Sequence, residues 1–192
     1  MNKQQRITVG TGLSAALIAS VAIAGFAGST ANADTTTNST NSTDGAGVDA
    51  GAVRANVAVV ESFINDVFNN HHTADAASYF TPDMAWHGGS IGTVSGRADV
   101  AGLMGAIVTA LPDLHITYQD VIAQHDKVVV RITVTGTQTG AILGIPASGK
   151  KVTWTALDDY RVSDGKIAED WAGDDFTAFL AGTGTYVAPW IH

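Results

Sequence analysis

Two adjacent aspartates, Asp158 and Asp159, lie in a segment rich in strand-forming residues, from position 151 to 162. Successive side chains of a strand point to opposite faces, so Asp158 shares a face with Trp154 and Tyr160, while Asp159 lies on the other. The face that carries Asp158 is the more apolar of the two. Burial among apolar groups raises the pKa of a carboxyl, which suits it to exchange protons with a substrate near neutral pH. Asp158 is therefore a candidate general acid or base, and hydration of both carboxylates at an exposed strand end is the alternative.

A histidine offers a second proton-transfer group. His87 follows Trp86 after a Thr-Pro-Asp turn. The imidazole could donate a proton to an oxyanion that forms on a substrate, or relay a proton between groups. A partly exposed histidine with a structural role is the alternative.

Metal and cofactor chemistry have weaker signals in the sequence. His71, His72 and Asp75 have a spacing compatible with metal binding on a helix. They lie at a junction between two predicted helices without a further ligand nearby, so we interpret them as a hydrated turn and predict no metal. The glycines form neither a phosphate loop nor a dinucleotide-binding pattern, and the sequence has no Gly-x-Ser-x-Gly motif and no cysteine. We expect no cofactor.

The first half of the folded region has helical periodicity. Apolar residues recur every three or four positions from 52 to about 70 and predict an amphipathic helix. A shorter helix is predicted at 74–80, and a brief strand at 84–87 follows the Thr-Pro-Asp turn. A third helix is predicted at 99–111, where Pro112 ends it.

After Pro112 the pattern changes to that of strands. Segments rich in Val, Ile, Thr, Trp and Tyr predict strands at 115–123, 128–139, 151–162 and 166–172. Turn-forming residues separate these segments, so neighbouring strands are expected to be antiparallel. Helices followed by strands predict an α+β fold, with the helices on one face of the sheet.

Several short motifs occur in a fixed order between positions 111 and 171. They are Leu111-Pro112-Asp113-Leu114, Val130-Arg131-Ile132, Gly136-Thr137-Gln138-Thr139-Gly140, Leu143-Gly144-Ile145-Pro146-Ala147-Ser148-Gly149-Lys150, Tyr160-Arg161 and Asp164-Gly165-Lys166-Ile167-Ala168-Glu169-Asp170-Trp171. In this order and spacing, the chain resembles the SnoaL-like polyketide cyclase family of the NTF2-like superfamily. The resemblance extends over about residues 55–179. It implies a cone in which three N-terminal helices fill the concave side of a strongly curved, mainly antiparallel sheet and leave a deep pocket.

The resemblance also implies an activity. Founding members of the family close a polyketide ring by intramolecular aldol condensation without a metal or an organic cofactor, and they typically form oligomers through their sheets. Such a reaction needs a base beside an acidic C–H bond, a donor for the enolate oxygen and walls that hold a flexible substrate. We expect a small hydrophobic or carbonyl-containing ligand, and a homo-oligomer such as a dimer.

Individual residues acquire expected roles from the resemblance. It places Asp158 on the pocket wall and His87 facing the cavity. Gln138 occupies a position where many relatives have histidine, and its amide could orient a carbonyl group but cannot act as a base. The aspartate of the founding cyclases falls at Ala172, whose methyl group cannot take a proton, which leaves Asp170 on the same alternating face as the nearby acid.

Two more acids, Asp174 and Asp175, lie just beyond the last predicted strand. Asp175 matches a family aspartate that starts the last short helix, so we expect it to cap that helix. We predict as catalytic residues Asp158, His87 and Asp170, and as further pocket-lining residues Trp86, Gln138, Trp154, Tyr160 and Asp175.

The N-terminus has the pattern of a cleavable secretory signal over residues 1–33. Lys3 and Arg6 precede an apolar stretch that ends in the small-residue site Ala31-Asn32-Ala33. Glycine and serine interrupt the stretch, which is too short for a membrane-spanning helix. We therefore predict secretion with cleavage before Asp34, a disordered linker at 34–51, the SnoaL-like domain at 52–180 and a C-terminal tail at 181–192.

The charge of the chain restricts its partners. Removal of Lys3 and Arg6 with the signal changes the formal net charge from −8 to −10. An acidic surface repels nucleic-acid phosphates and anionic lipids, so we expect neither nucleic acid nor, after cleavage, a membrane as a partner. The residues leave two functions open: an acid–base enzyme that acts on a small apolar compound, and a non-catalytic secreted module that binds one.

Overall fold

The computed structural model describes residues 43–190, with side chains from residue 50 onward. The predicted signal peptide and the predicted linker as far as residue 42 lie outside this range. Helix α1 (Thr43–Phe63) begins earlier than expected, so residues 43–51 are helical in the structure and the linker prediction is wrong for them. Extending a helix needs no new nucleation, whereas the prediction considered only the lack of apolar side chains in this stretch.

Most of the helices precede most of the strands along the chain. In chain order after α1 they are a π-helical turn (Ile64–Asn69), a 3₁₀ helix (Thr73–Tyr79), β1 (Phe80–His87), a 3₁₀ turn (Gly89–Ile91), β2 (Thr93–Ser95), α2 (Arg97–Ala110), β3 (His115–Gln124), β4 (Lys127–Thr137), β5 (Lys151–Ser163), β6 (Lys166–Asp174) and α3 (Phe176–Thr183). No helix within residues 43–190 has both the length and the apolar character that crossing a bilayer requires.

The six strands form one sheet in the order β2-β1-β6-β5-β4-β3. Strands β1 and β6 run parallel and every other neighbouring pair is antiparallel. The predicted α+β fold with a mainly antiparallel sheet is confirmed. Strand β1 includes the Thr-Pro-Asp segment that was predicted to be a turn, because the pairing of β1 with β6 shifts register between Phe80 and Ala85. A proline is tolerated at such an irregular position, since no ladder hydrogen bond is lost there.

The helices pack on one face of the sheet and form the core with it. The apolar stripe of α1 and the π-helical turn contributes Val60, Ile64 and Val67, all fully buried. Strand β4 contributes every second residue to the same core, among them Val130 and Ile132. Register shifts in β3 and at the β5–β6 pair mark β-bulges, which bend the strands around the helices.

The opposite face of the sheet is exposed and largely polar. On it Lys127 forms an ion pair with Asp159 at 3.2 Å and lies 3.7 Å above the ring centroid of Trp171. Leu157 is also exposed there. The two faces therefore present different chemistry, and among the described residues the buried acids Asp158 and Asp170 line a cavity on the helix-covered face.

Candidate active site

A cavity lies between the sheet, the end of α1 with its π-helical turn, and α2. Its volume is about 70 Å³, and we call it the carboxyl cavity because three aspartates, Asp158, Asp170 and Asp174, line it. Tyr160 adds a phenol group. The remaining walls are apolar or aromatic: Phe63, Phe68, Trp86, Met104, Ile107, Leu114, Ile116, Val134, Trp154 and Ala172.

Strand register brings the three acids together. Asp158 of β5 is directly opposite Ala172 of β6, while Asp170 and Asp174 are two residues away from Ala172 on either side. Residues two apart on a strand share a face, so Asp158 is the diagonal neighbour of both other acids across the strand pair. The small side chain of Ala172 leaves the space opposite Asp158 open, and the cavity occupies it.

Asp158 is buried, with 7% of its surface exposed. Burial, together with the nearby charge of Asp174, raises the pKa of this carboxyl to about 8. Hydrogen bonds from the Gly173 amide, at 3.2 Å, and from the Tyr160 hydroxyl act against this rise. The net effect leaves Asp158 mainly protonated at neutral pH.

Asp170 is the most isolated of the three acids. Only 4% of its surface is exposed, and its Oδ1 atom is buried without a hydrogen-bond partner among the described residues. Burial raises the pKa of Asp170 well above its ordinary value, and the neighbouring Asp158 and Asp174 raise it further. A neutral carboxyl in this position has a hydroxyl group to donate to a ligand.

Asp174 differs from the other two acids because an indole N–H group stabilises its negative charge. Burial raises its pKa, and a hydrogen bond from Trp154 Nε1 to its Oδ1, 2.6 Å long, lowers it. Asp174 was not among the predicted site residues, because the last strand was predicted to end at Ala172. Strand β6 extends to Asp174, so the alternation that places Asp170 on the inner face continues to Asp174.

The described residues that line the carboxyl cavity include no lysine, arginine or histidine. Three carboxyl groups near each other without a cation cannot all be ionised at neutral pH, so they retain protons. The arrangement therefore supplies both a proton donor and a proton acceptor within one apolar space. That combination is what general acid–base catalysis requires.

The structure places His87 outside this cavity. His87 is directly opposite Trp171 in the β1–β6 pair, and its ring stacks on the Trp171 ring with centroids 5.2 Å apart. Its Nδ1 lies 3.3 Å from Thr93 Oγ1, and its Nε2 lies 4.0 Å from Glu169 on the outer face. The prediction that His87 faces the cavity is wrong, because Trp86 takes the inner face of β1 and adjacent strand residues alternate. His87 is therefore not a candidate catalytic residue.

Gln138 also differs from its predicted place. It is fully buried but does not line the cavity. Its amide nitrogen donates to the carbonyl oxygens of Gly140 and Pro146, and its amide oxygen accepts from the Ser148 amide. Gln138 therefore holds the β4–β5 connection in shape instead of orienting a ligand.

The last predicted site residue, Asp175, begins helix α3. Its carboxylate accepts a hydrogen bond from the Ala178 amide at 3.0 Å, which confirms the expected N-cap. It does not line the carboxyl cavity, so its assignment as a pocket-lining residue is wrong. Trp86, Trp154 and Tyr160 do lie in the cavity wall.

One group of side chains could hold a metal ion, and it lies away from the carboxyl cavity. Asp66, His72 and Asp75 place one ligand atom each within 4.8 Å of one another. Asp66 already accepts hydrogen bonds from His72 at 2.7 Å and Tyr79 at 3.2 Å. The sequence pattern had grouped His71 with this set, but His71 bonds the Leu114 carbonyl oxygen instead.

Comparisons with known proteins agree with this geometry. Residues 58–182 match the model of the SnoaL-like polyketide cyclase family. AclR from Streptomyces galilaeus, provisionally assigned as a hydroxylase, is 26% identical with a TM-score of 0.62 over 70% of this chain and 99% of its own. IdmH from Streptomyces antibioticus, provisionally assigned as a polyketide cyclase, is 26% identical with a TM-score of 0.57 over 67% of this chain and 98% of its own.

More distant structures share the fold. An LEH-like epoxide hydrolase from M. tuberculosis is 14% identical, with a TM-score of 0.57 over 69% of this chain and 92% of its own, which is a likeness of fold alone. A search of curated proteins found no match. The family model spans more than half of the chain, and the match to AclR covers 99% of the length of AclR. The chain therefore belongs to the SnoaL-like polyketide cyclase family.

Proposed function

We propose that this protein acts on a small, largely apolar carbonyl compound by acid–base chemistry that needs no cofactor. The observation that carries the proposal is a set of three carboxyl groups on neighbouring strands of one apolar cavity: Asp158 and Asp170, which are buried, and Asp174, which is partly buried. Burial raises the pKa of all three groups, and that of Asp158 to about 8, so the set holds at least one proton at neutral pH. The family membership and the provisional assignment of IdmH as a polyketide cyclase support a carbonyl-bearing substrate.

In the proposed reaction Asp174 is the base. Its carboxylate, held by Trp154, removes a proton from the carbon next to the substrate carbonyl, and the C–H electron pair forms the double bond of an enolate. Neutral Asp158 or Asp170 donates a hydrogen bond to the oxygen that gains the charge. The enolate carbon then either attacks a second carbonyl of the same molecule, which closes a ring as the new alkoxide oxygen takes the proton from Asp174, or takes that proton back itself.

The walls of the cavity support this chemistry by excluding water. Phe63 and Phe68 come from the end of α1 and the π-helical turn, and Met104 and Ile107 come from α2. Apolar surroundings strengthen the hydrogen bonds to the enolate oxygen and disfavour the ionised form of each carboxyl in the absence of a ligand. They also match an apolar substrate in shape and polarity.

Exchange of hydrogen for deuterium tests the proposal without knowledge of the natural substrate. Acetone and 2-butanone would be incubated in D₂O with the full-length protein, and deuterium next to the carbonyl would be measured by mass spectrometry. We expect incorporation above the buffer rate, reduced roughly 10²-fold or more in Asp174→Asn. Asp159→Asn, which changes an acid on the outer face, is the matched control and should keep the wild-type rate.

No incorporation above buffer, or equal rates in Asp174→Asn and wild type, would contradict the proposed chemistry. A second function then has one observation in its favour. Ala172 stands in the cavity where the founding cyclases have an aspartate, so the cavity could bind a small apolar compound without changing it. Recovery of an unaltered compound from a culture extract of the producing organism, with no product detected, would favour this binding function.

We also propose that the protein is secreted. The proposal rests on the basic, apolar and small-residue pattern of residues 1–33, which lie outside the described part of the chain. Expression of the full chain in a secreting host, followed by N-terminal sequencing of the protein in the medium, tests it. The expected N-terminus is Asp34, and retention of the protein inside the cell with Met1 intact would contradict secretion.

A further inference from the structure

A second cavity adjoins the carboxyl cavity and differs from it in chemistry. Its volume is about 60 Å³, and it shares Trp86, Ile107, Trp154 and Asp174 with the carboxyl cavity. Its other lining residues are all hydrophobic, and we call it the apolar chamber: Ile91, Leu103, Leu111, Ile142, Leu143, Phe176 and Phe179. Asp174 is thus the one acid that both spaces reach among the described lining residues.

We propose that the apolar chamber binds the hydrocarbon part of a substrate whose carbonyl group lies in the carboxyl cavity. This inference rests on the proposed function and names its substrate class: an elongated carbonyl compound with an apolar group on one side of the carbonyl. A carbonyl compound without such a group would leave the chamber empty. The chamber would then determine which compounds bind tightly, while the three acids act on the carbonyl end.

The wall between the two spaces is built from two indole rings. Trp154 bonds Asp174 through Nε1 and packs edge to face on Phe179 of α3, with ring centroids 5.2 Å apart. One side chain therefore fixes both the proposed base and a hydrophobic wall of the chamber. Trp86 lies beside it, in a position that Gly88 permits: a Cβ atom on Gly88 would come within 2.0 Å of the Trp86 ring.

The far wall of the chamber is a shaped loop. Gln138 holds this β4–β5 connection, as described above, and Ile142 and Ile145 exchange backbone hydrogen bonds of 3.0 and 2.8 Å across its tip. The turn between them presents Leu143 to the chamber. The loop is therefore held by both side-chain and backbone bonds.

Leu143 is an unusual residue for its backbone. Its φ is +52°, in the left-handed region that favours glycine, and the following Gly144 has φ +77°. A leucine in this conformation is strained, because its Cβ atom crowds the backbone where glycine has none. Leu143 is also 44% exposed, so burial in the ligand-free protein offsets little of that strain. A ligand in the chamber would cover the Leu143 side chain, and burial of that side chain would then offset the strain of its backbone.

Binding of a ketone series tests the inference. Dissociation constants for 2-butanone, 2-hexanone, 2-octanone and 2-decanone would be measured by tryptophan fluorescence, since Trp86 and Trp154 line both spaces. Each methylene that enters the chamber is worth about 0.8 kcal/mol, so we expect affinity to rise about fourfold per methylene until the chamber is full. Affinity that does not change with chain length would overturn the inference.

Two variants place the effect in the chamber. Leu103→Trp fills the chamber and should abolish the dependence on chain length. Leu143→Gly relieves the backbone strain, so it should fold, and it should weaken 2-octanone binding about three- to tenfold by removing a contact. Leu157→Ala, which removes an exposed leucine from the outer face, is the control and should leave binding unchanged. Equal affinities for 2-octanone in wild type and Leu143→Gly would overturn the inference.

The two proposals fail in different ways. Deuterium exchange in acetone depends on the acids alone, because acetone is too short to reach the chamber from the carboxyl cavity. Catalysed exchange with affinity independent of chain length would overturn the chamber and leave the acid–base function. Affinity that rises with chain length, without catalysed exchange of any ketone, would support the chamber and overturn the acid–base function.

Discussion

Asp158 and Asp159 are neighbours in the sequence and have opposite environments. Asp158 faces the carboxyl cavity, and Asp159 pairs with Lys127 on the outer face. The alternation of side chains along β5 separates them. Asp158→Asn and Asp159→Asn therefore make the same chemical change, the first in the cavity and the second on the surface. The same alternation sets Asp170, Ala172 and Asp174 along one face of β6.

The hydrogen bond from Trp154 to Asp174 gives a prediction about pH. Trp154→Phe keeps the aromatic wall and removes the Nε1 donor, so the pKa of Asp174 should rise, since that bond lowers it. Asp174 must be ionised to act as a base, so the rise of the exchange rate with pH should shift to higher pH and the rate at pH 7 should fall severalfold. A pH profile of deuterium exchange measures this shift.

Trp190→Phe is the control for that prediction, because Trp190 is exposed in the C-terminal tail. Its pH profile should match that of the wild type. An unshifted profile in Trp154→Phe would show that the indole does not tune Asp174.

The alternation of side chains along a strand predicts which residues of β5 and β1 face the cavity. Asp158, Trp154 and Tyr160 were assigned to one face from the period of β5, and all three line the cavity. Trp86 and His87 were both assigned to the pocket, although adjacent residues of a strand cannot share a face. The resemblance suggested His87, and the local geometry of β1 gave the inner face to Trp86.

The conformation of the connection between β4 and β5 depends strongly on one residue, Gln138. The Gln138 side chain forms hydrogen bonds with three backbone groups of this loop: the carbonyl oxygens of Gly140 and Pro146 and the amide of Ser148. Gly140 adds a close approach to α2, where a Cβ atom would lie 2.9 Å from Ala110 Cα. The loop is therefore fixed against the helix layer at its start.

Removal of the Gln138 side chain should destabilise the protein. Gln138→Ala removes the hydrogen-bond partner of three part-buried backbone groups, and each lost bond costs about 0.5–1.5 kcal/mol, so we expect a loss of about 2 kcal/mol or more in the free energy of unfolding. Urea denaturation measures the change. Gln119→Ala removes an exposed glutamine and should alter stability by less than about 0.5 kcal/mol. A loss below 1 kcal/mol in Gln138→Ala would contradict the structural role of this residue.

The strands from β3 to β6 were predictable because each is long and has a clear composition. The prediction missed β2, which has only the three residues Thr93–Ser95 and no measurable period. It also ended the last strand at Ala172, where the apolar composition ends, although pairing with β5 continues to Asp174. Pairing across the sheet decides where a strand ends, and one sequence does not contain that information.

For the whole molecule, the acids that equip the cavity for chemistry also affect its stability. In the folded protein the pKa of Asp158 rises from 3.8 to about 8, while in the unfolded chain it keeps its ordinary value. Between these two pH values the folded state binds more protons than the unfolded state. The free energy of unfolding contributed by Asp158 is therefore greatest below about pH 4 and is lost as pH rises through about 8.

The stability of the wild-type protein should thus decrease between pH 5 and pH 8. One carboxyl that is protonated only in the folded state contributes a slope of about 1.4 kcal/mol per pH unit. Urea denaturation at four pH values measures the slope, which should be reduced in Asp158→Asn and kept in Asp159→Asn. Stability that increases over this pH range would contradict the retention of protons in the cavity.

The proposed chemistry depends on neutral carboxyl groups in the cavity at physiological pH, and NMR can observe them directly. Carboxyl carbons of aspartate labelled with ¹³C would be followed from pH 4 to pH 10 in the wild-type protein, Asp158→Asn and Asp159→Asn. We expect a resonance in the wild type with a titration midpoint at about 8, absent in Asp158→Asn and present in Asp159→Asn. Completion of every aspartate titration below about pH 5, within the ordinary range of a carboxyl, would contradict the proposed site.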